Sequence, residues 1–346
     1  MKMNRLLLLL AMATGALLTS CEHKDLCYDH DAHTPRAEYK FNLAFDRAWE
    51  ENVEGYMDWQ NNWDSKYVVS YDELRPAEAE GVRLHAYYGH GNMETIRNMT
   101  KDKSTVRLAN NGYYDFLFYN NDTEYIVFEN MGDYTTASAT TRGLVRNSYR
   151  GNSLMTRATK EVTVNPPDML YGAYRDSVLV VKSFQADTMD ITMHPLVFTY
   201  LIRFEVVKGA EHVVQAKGAL AGMAQGVNLS TGRTAKDEVT VLFDCNTVGS
   251  FGVQAQVRSF GVPDYPNINY TRAANRQFGL AVELRLKNGN FQQHDFDITD
   301  QVLRQPHGGV IVVSGIEIDE DRDDSGGGFQ VGVDGWGDEV NVPLPI

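Results

Sequence analysis

Leu280, Val282, Leu284 and Leu286 fall on one side of an extended chain, and Glu283, Arg285 and Lys287 fall on the other. A two-residue period belongs to a strand; wound as a helix, the same stretch would leave much of its apolar surface in water. The pattern recurs. Tyr39, Phe41, Leu43 and Phe45 alternate with Lys40, Asn42 and Ala44, and Phe198, Tyr200, Ile202, Phe204 and Val206 line one face of another segment. Val239, Val241 and Phe243 alternate as well, as do Val253, Ala255 and Val257 against Gln254, Gln256 and Arg258. Shorter β-rich runs lie at 82–88, 105–109, 177–183, 189–193, 310–318 and 329–342. Gly, Asn and Asp join these runs, which describes an all-β chain of antiparallel sandwiches. Two hairpins are expected. One spans 112–129 with its turn at Asn120, Asn121 and Asp122; the other turns at Asn288 and Gly289, where a type I′ turn needs positive φ at both positions.

The chain of 346 residues is long enough for two domains. Residues 132–160 carry no hydrophobic period and read as a long excursion, in which Arg142, Arg146, Arg150 and Arg157 suit either a protease target or a solvated loop. Pro166 and Pro167 end it, and order returns at 168–174. His194 and Pro195 interrupt the strand pattern, so the expected domains are 37–194 and 195–346.

The first twenty-one residues, MKMNRLLLLLAMATGALLTSC, place Lys2 and Arg5 before an apolar run and small residues before Cys21. That is a secretory signal, too short to span a bilayer. Leu18, Thr19, Ser20 and Cys21 resemble the bacterial lipoprotein box, which makes 1–20 a signal peptide and Cys21 the lipid-bearing mature N-terminus; an ordinary signal with an incidental cysteine is the alternative. Several acyl chains, each buried CH₂ contributing about 0.8 kcal/mol, would then hold the protein to a membrane. Residues 21–36 read as a polar tether. Its His30 and His33 invite a metal, but a tether supplies no outer shell to fix ligands, and no metal or other cofactor is expected. Once Cys21 carries lipid, Cys27 and Cys245 remain, and whether they pair is open. The formal charge of −14 repels phosphate backbones, so nucleic acid is not an expected partner.

HExxH, GxSxG, CxxC and the Walker loop are missing from the sequence, and the expected role is not enzymatic. Trp49, Trp59 and Trp63, set among Asn, Asp, Gln and Glu, suit either a platform for sugar rings or a loop pinned to a sandwich by its own aromatics. Asp319, Asp321 and Asp323 have the spacing of the first ligands of a calcium loop. Asp324 and Gln330 stand where that loop needs Gly and Glu, which favours a solvated turn.

The lipobox followed by CEHKDLCYDH, then GYYDFLFYNND, PDMLYGAY, LVFTYLIRFEVV, GALAGMAQGVNLSTG, DFDITDQVLRQP and GFQVGVDGWGDEVNVPL, in this order, resemble the fimbrillin-like lipoproteins of Bacteroides-type bacteria, among them the anchor and accessory subunits of type V pili. The resemblance implies two tandem transthyretin-like sandwiches, attached to the outer membrane through Cys21 and exposed at the cell surface. It implies partners among pilus stalk or other fimbrillin-like subunits, joined by strand addition, with 331–346 as the candidate donor strand. Pro343 and Pro345 limit ladder pairing at its very end. A glycan-binding surface lipoprotein using Trp49, Trp59 and Trp63 is the alternative.

Overall fold

A computed structural model describes residues 35–53, 55–89, 91–144, 162–249, 251–266 and 276–324. Cys21, Cys27, His30, His33, Arg146, Arg150, Arg157, the expected strand at 329–342 and the candidate donor at 331–346 lie outside them.

The first half builds strands β1 (Ala37–Phe45), β2 (Val82–Tyr88), β3 (Asn92–Met99), β4 (Thr105–Leu108), β5 (Gly112–Asn120), β6 (Ile126–Glu129), β7 (Ser138–Thr141), β8 (Val162–Val164), β9 (Tyr171–Val180) and β10 (Asp187–Pro195). The second half adds β11 (Phe198–Lys208), β12 (Val213–Ala224), β13 (Gly226–Asn228), β14 (Glu238–Val248), β15 (Gly252–Ser259), β16 (Gly279–Leu286), β17 (Phe291–Asp297), the short helix α1 (Thr299–Arg304) and β18 (Gly309–Glu317).

These strands form two sandwiches with one wiring. In the first, the layer β4-β1-β10 faces β3-β2-β5-β9 across a core of Tyr39, Phe41, Tyr114, Phe116, Phe118, Ile191 and Met193. In the second, β15-β11-β18 faces β14-β12-β16-β17 across Tyr200, Ile202, Phe204, Val241, Val257, Val282 and Ile311. Strand for strand, β1 corresponds to β11, β2 to β12, β3 to β14, β4 to β15, β5 to β16, β9 to β17 and β10 to β18. The all-β sandwich architecture is as expected, mostly antiparallel. The parallel pairs are β1 with β10, β11 with β18, and β8 with β14. In each sandwich the first strand meets the last, reached only after the chain has crossed through the opposite layer, so the two can run in the same direction.

The chain departs from the alternation pattern where burial is two-sided or missing. β12 passes both faces to protein and is rich in Ala and Gly, so its run shows no period. β3 is mostly exposed and polar. Glu283, expected in solvent, is buried on β16 between β12 and β17.

The expected hairpin at 112–129 does not form. β5 pairs with β2 and β9, whereas β6 pairs with β7 in a separate small sheet. The diversion is held by side chains: Asn120 accepts from Tyr171 N–H at 2.7 Å, and the Asp168 carboxylate accepts from the N–H groups of Glu124 and Tyr125 at 2.6 and 2.5 Å. The turn after β16 is also not type I′. Only Gly289 has positive φ (95°), while Leu286 N–H donates to Asn290 O and Gly289 N–H to Leu286 O, which is a longer loop with one left-handed residue.

Segments inserted into one repeat pack on the other. β7 pairs with β13, β8 runs beside β14, and the outer face of the first sandwich (Tyr87, Leu117, Tyr119) shares a core with Ala224, Val227, Leu229 and Phe260 of the second half. Among the described residues no helix is long and apolar enough to cross a membrane.

Candidate functional site

The connection from β1 to β2 wraps onto the second sandwich. Leu201 of β11 and Val310 of β18 point away from their own core and would face water, and the connection covers them with Trp49, Trp59, Tyr67 and Leu74. Trp49 is only 1% exposed and Trp59 7%. Trp63 lies edge-on to Trp49 at 5.9 Å and tilted over Tyr67 at 4.8 Å. The indole N–H of Trp59 donates to Gln305 Oε1 (3.2 Å), and that of Trp63 to Val69 O (2.8 Å). Of the two readings of Trp49, Trp59 and Trp63, the burial of Trp49 and Trp59 fits the loop pinned to a sandwich by its own aromatics rather than a platform for sugar rings: these two lie against the protein's own sheet and cover its apolar outer face.

The same layer explains α1. Gln301 and Gln305, four residues apart on one helix face, each clamp the outward backbone of β18. Gln301 Nε2 donates to Val312 O and Oε1 accepts from Val312 N–H, both at 3.0 Å. Gln305 repeats the clamp on Val310, at 2.7 and 2.9 Å. A primary amide offers one donor and one acceptor in the arrangement of a peptide unit, so the two side chains stand in for a neighbouring strand. The pair sits in the motif DFDITDQVLRQP, where only the spacing of the two glutamines hinted at it.

The acidic loop does comparable work on β17. Phe291 N–H donates to Asp323 Oδ1 and Gln293 N–H to Asp324 Oδ2, each at 3.1 Å, and Asp324 N–H returns to Phe291 O at 2.7 Å. Gln292 reaches Asp319 O, and Asn288 and Asn290 both donate to Glu320 O. Asp319 Oδ1 accepts from Asp321 N–H. Burial pushes the Asp324 carboxyl up, but Arg322 and the Gln293 N–H outweigh it and hold it below the usual range. Asp319 to Asp323 are exposed, as expected of a solvated turn, and the same loop also serves as a strap along the edge strand β17. Among the described residues no group of three or more His, Cys, Asp or Glu is placed to hold a metal ion.

A cleft of about 470 Å³ opens where the repeats meet. His307 lies flat against Phe198 (4.2 Å, 7°) and edge-on to Tyr265, and its Nδ1 stands 2.9 Å from Glu51 Oε2. The Tyr265 hydroxyl donates to Glu51 Oε1 at 3.1 Å. Burial raises the Glu51 carboxyl, yet the hydrogen bond and charge of His307 and the bond from Tyr265 bring it below its ordinary value. Backbone bonds from Thr199 N–H to Trp49 O and from Glu51 N–H to His307 O fix the same joint. The sequence carried no motif for it, since the three partners are more than two hundred residues apart along the chain at the extremes.

Cys245, on β14, has no disulfide partner among the described residues, and burial pushes the pKa of its thiol up. Arg142, from the expected excursion, is tied through its backbone to Tyr125 and Asn165.

The comparisons with known proteins fit this architecture. The model of a domain of unknown function, DUF5119, matches residues 60–244, just over half of the chain. The chain belongs to the DUF5119 family. This DUF5119 protein is 24% identical over 305 residues to a Bacteroides ovatus protein assigned, by inference, as the fimbrium anchoring subunit Fim4B, covering 80% of this chain and 88% of that relative. The crystal structure of an inferred adhesin from Bacteroides ovatus superposes with a TM-score of 0.55 at 19% identity, covering 87% of this chain and 97% of that one, and so has the same fold. The fimbrial anchor protein Mfa2 from Porphyromonas gingivalis aligns at 11% identity over 80% of this chain and 90% of its own, with a TM-score of 0.44. The fimbrillin-like resemblance of the sequence motifs is borne out.

Proposed function

We propose that this DUF5119 protein is a non-enzymatic anchor or accessory subunit of a fimbrillin-like pilus, held at the outer membrane surface by lipid on Cys21 and joined to neighbouring subunits by strand addition. The observation that carries this reading is the similarity to Fim4B over four-fifths of the chain. The position of β1 supports an anchor that keeps its first strand: it lies inside its layer, with β10 on one side and β4 on the other. Strand addition needs an edge that can accept a partner. The outward backbone of β18 at Val310 and Val312 and of β17 at Phe291 and Gln293 is already bonded, so an incoming strand either displaces those covers or pairs with β3 or β4.

The test is recovery from membranes in mild detergent, with mass spectrometry of the N-terminus and of what co-purifies. A triacylated Cys21 and a co-purifying pilin are the expected result. A free, soluble N-terminus, or a Cys21→Ala protein that still labels with palmitate, overturns the anchor.

A further inference from the structure

We propose that the pole of the N-terminal sandwich where the chain begins its fold is a membrane-seating surface, resting its apolar side chains in the headgroup region of the bilayer that holds Cys21. The inference rests on the lipid-anchor reading and adds to it a second, non-covalent contact.

Three observations converge on this pole. Arg36 forms an isolated bridge with Ser183, its N–H donating to Ser183 O at 2.7 Å and Ser183 N–H donating back at 2.8 Å. The folded chain therefore starts beside the connection between β9 and β10. On that connection Phe184 is 74% exposed, an unusual state for a phenylalanine, and Val181 and Leu179 stand exposed on the outward side of the same strand end. Tyr113, also exposed, lies opposite Leu179 in the β5–β9 register. Four large apolar side chains thus share one end of the molecule, next to where the chain arrives from Cys21.

The charge at this pole suits a lipid surface. In a chain with 46 acidic and 32 basic residues, 181–186 reads Val, Lys, Ser, Phe, Gln, Ala, and 109–113 reads Ala, Asn, Asn, Gly, Tyr, with no acid in either. Glu94 of β3 reaches this loop, but its carboxylate is taken up by Ala109 N–H (2.9 Å), Asn110 Nδ2 (3.1 Å) and the Tyr114 hydroxyl (2.5 Å). Lys182 is exposed between Val181 and Ser183, where its stem can lie along the interface with the ammonium in water. Asp187, the next acid along, sits back at the start of β10 in register with Tyr39. Asn111 Oδ1 accepts from Lys182 N–H at 2.9 Å, which fixes the two loops against one another. A rigid tip with an aromatic, aliphatic neighbours and a lysine is the composition that partitions into a membrane interface.

Distance makes the contact available. Fourteen residues run from Cys21 to position 34, and even fully extended they span at most about 50 Å, so the pole that receives them stays within that reach of the bilayer. The anchor raises the local concentration of lipid at that pole, and a patch too weak to bind vesicles alone becomes effective.

The test uses the full-length lipidated protein carrying Phe184→Trp, reconstituted in vesicles with brominated phospholipid and read as the emission difference from the unsubstituted protein. At least a twofold quenching of the added indole is expected, with little at Val207→Trp, an exposed site on the other sandwich. Quenching at 184 should fall when Leu179 and Val181 are both replaced by Ser. Lipidated, vesicle-bound protein whose added indole is unquenched overturns the seating surface and leaves the anchor standing. Protein with no lipid on Cys21 overturns both. An indole shielded in detergent in proportion to protein concentration assigns the patch to a second copy and also overturns the proposal.

Discussion

In the N-terminal sandwich β5 sends Tyr114, Phe116 and Phe118 into the core, and Phe41 of β1 meets them edge-on, 5.6 Å from Phe116 and 5.1 Å from Phe118. On β16, the strand in the same place of the C-terminal sandwich, the inward residues are Leu280, Val282 and Leu284. The edges differ too. The C-terminal sandwich ends on β17 and β18, whose outward backbone is covered by an acidic strap and by two glutamines; the N-terminal one ends on the polar, exposed β3 and on the four-residue β4. One wiring therefore accepts rings or branched aliphatics, provided the pattern and volume are kept. Edge protection is separate from filling: one repeat uses bonded covers, the other shortness and polar side chains.

The sharpest break of this comparison is in the cores. Phe118→Ala should cost about 4 kcal/mol, and Leu284→Ala about 3, because a ring leaves a larger void than an isobutyl group. Urea denaturation followed by fluorescence measures both. Equal costs would mean that the aromatic core collapses around its void and that the two fillings are energetically alike.

Next in size is the joint between repeats. A Cβ on Gly226 would stand 2.4 Å from Ala139 O, so Gly226→Val forces β13 off β7. We expect a loss of about 2 to 3 kcal/mol and a single unfolding transition that splits into two. One undivided transition at lower stability would show that β8 on β14 and the joint at Glu51 and His307 suffice to couple the repeats.

The N-terminal sandwich carries a buried histidine in its outer face. His85 on β2 is buried, its Nε2 is 2.8 Å from the Tyr119 hydroxyl, and burial, aided by the charge of Arg83, pushes its pKa down to about 4. The unfolded chain takes up this proton near pH 6.5 and the folded chain does not until about pH 4. Stability from this group is whole above pH 6.5 and declines as pH falls toward 4. Between pH 7 and 5 the loss should be about 2 kcal/mol. His85→Gln should flatten that stretch of the stability profile; an unchanged profile would place the titration elsewhere.

How much of this was legible in the sequence follows from what burial does to a pattern. Strands with one wet face, such as β1 and β15, announced themselves, and so did the all-β class. β12 did not, because Ala and Gly under neighbours on both sides erase the period; Gly218 leaves room there for the Phe243 ring, whose carbon atoms would come within 2.2 Å of an added Cβ. The tryptophans were visible as a cluster, but which way they faced depended on Leu201 and Val310, residues that look like core from sequence and in fact point outward. Gln301, Gln305 and the joint of Glu51 with His307 are pairings between distant segments, for which local spacing holds no signal.

The smallest effect concerns the guarded edge. Gln301→Ala removes the side chain that satisfies both the N–H and the C=O of Val312, leaving a partly buried donor and acceptor with only transient water partners. The expected cost is about 1 to 2 kcal/mol, below the core and joint variants, since part of the desolvation is relieved by solvent entering beside α1. The more telling readout is association. A strand edge stripped of its cover templates another strand, so sedimentation should show concentration-dependent dimers for Gln301→Ala and none for a variant of exposed β3 such as Asn92→Ala. If Gln301→Ala stays monomeric at the highest concentrations, Gln305 and its bond from Trp59 are enough to keep β18 closed, and the two repeats differ in edge protection by one side chain rather than two.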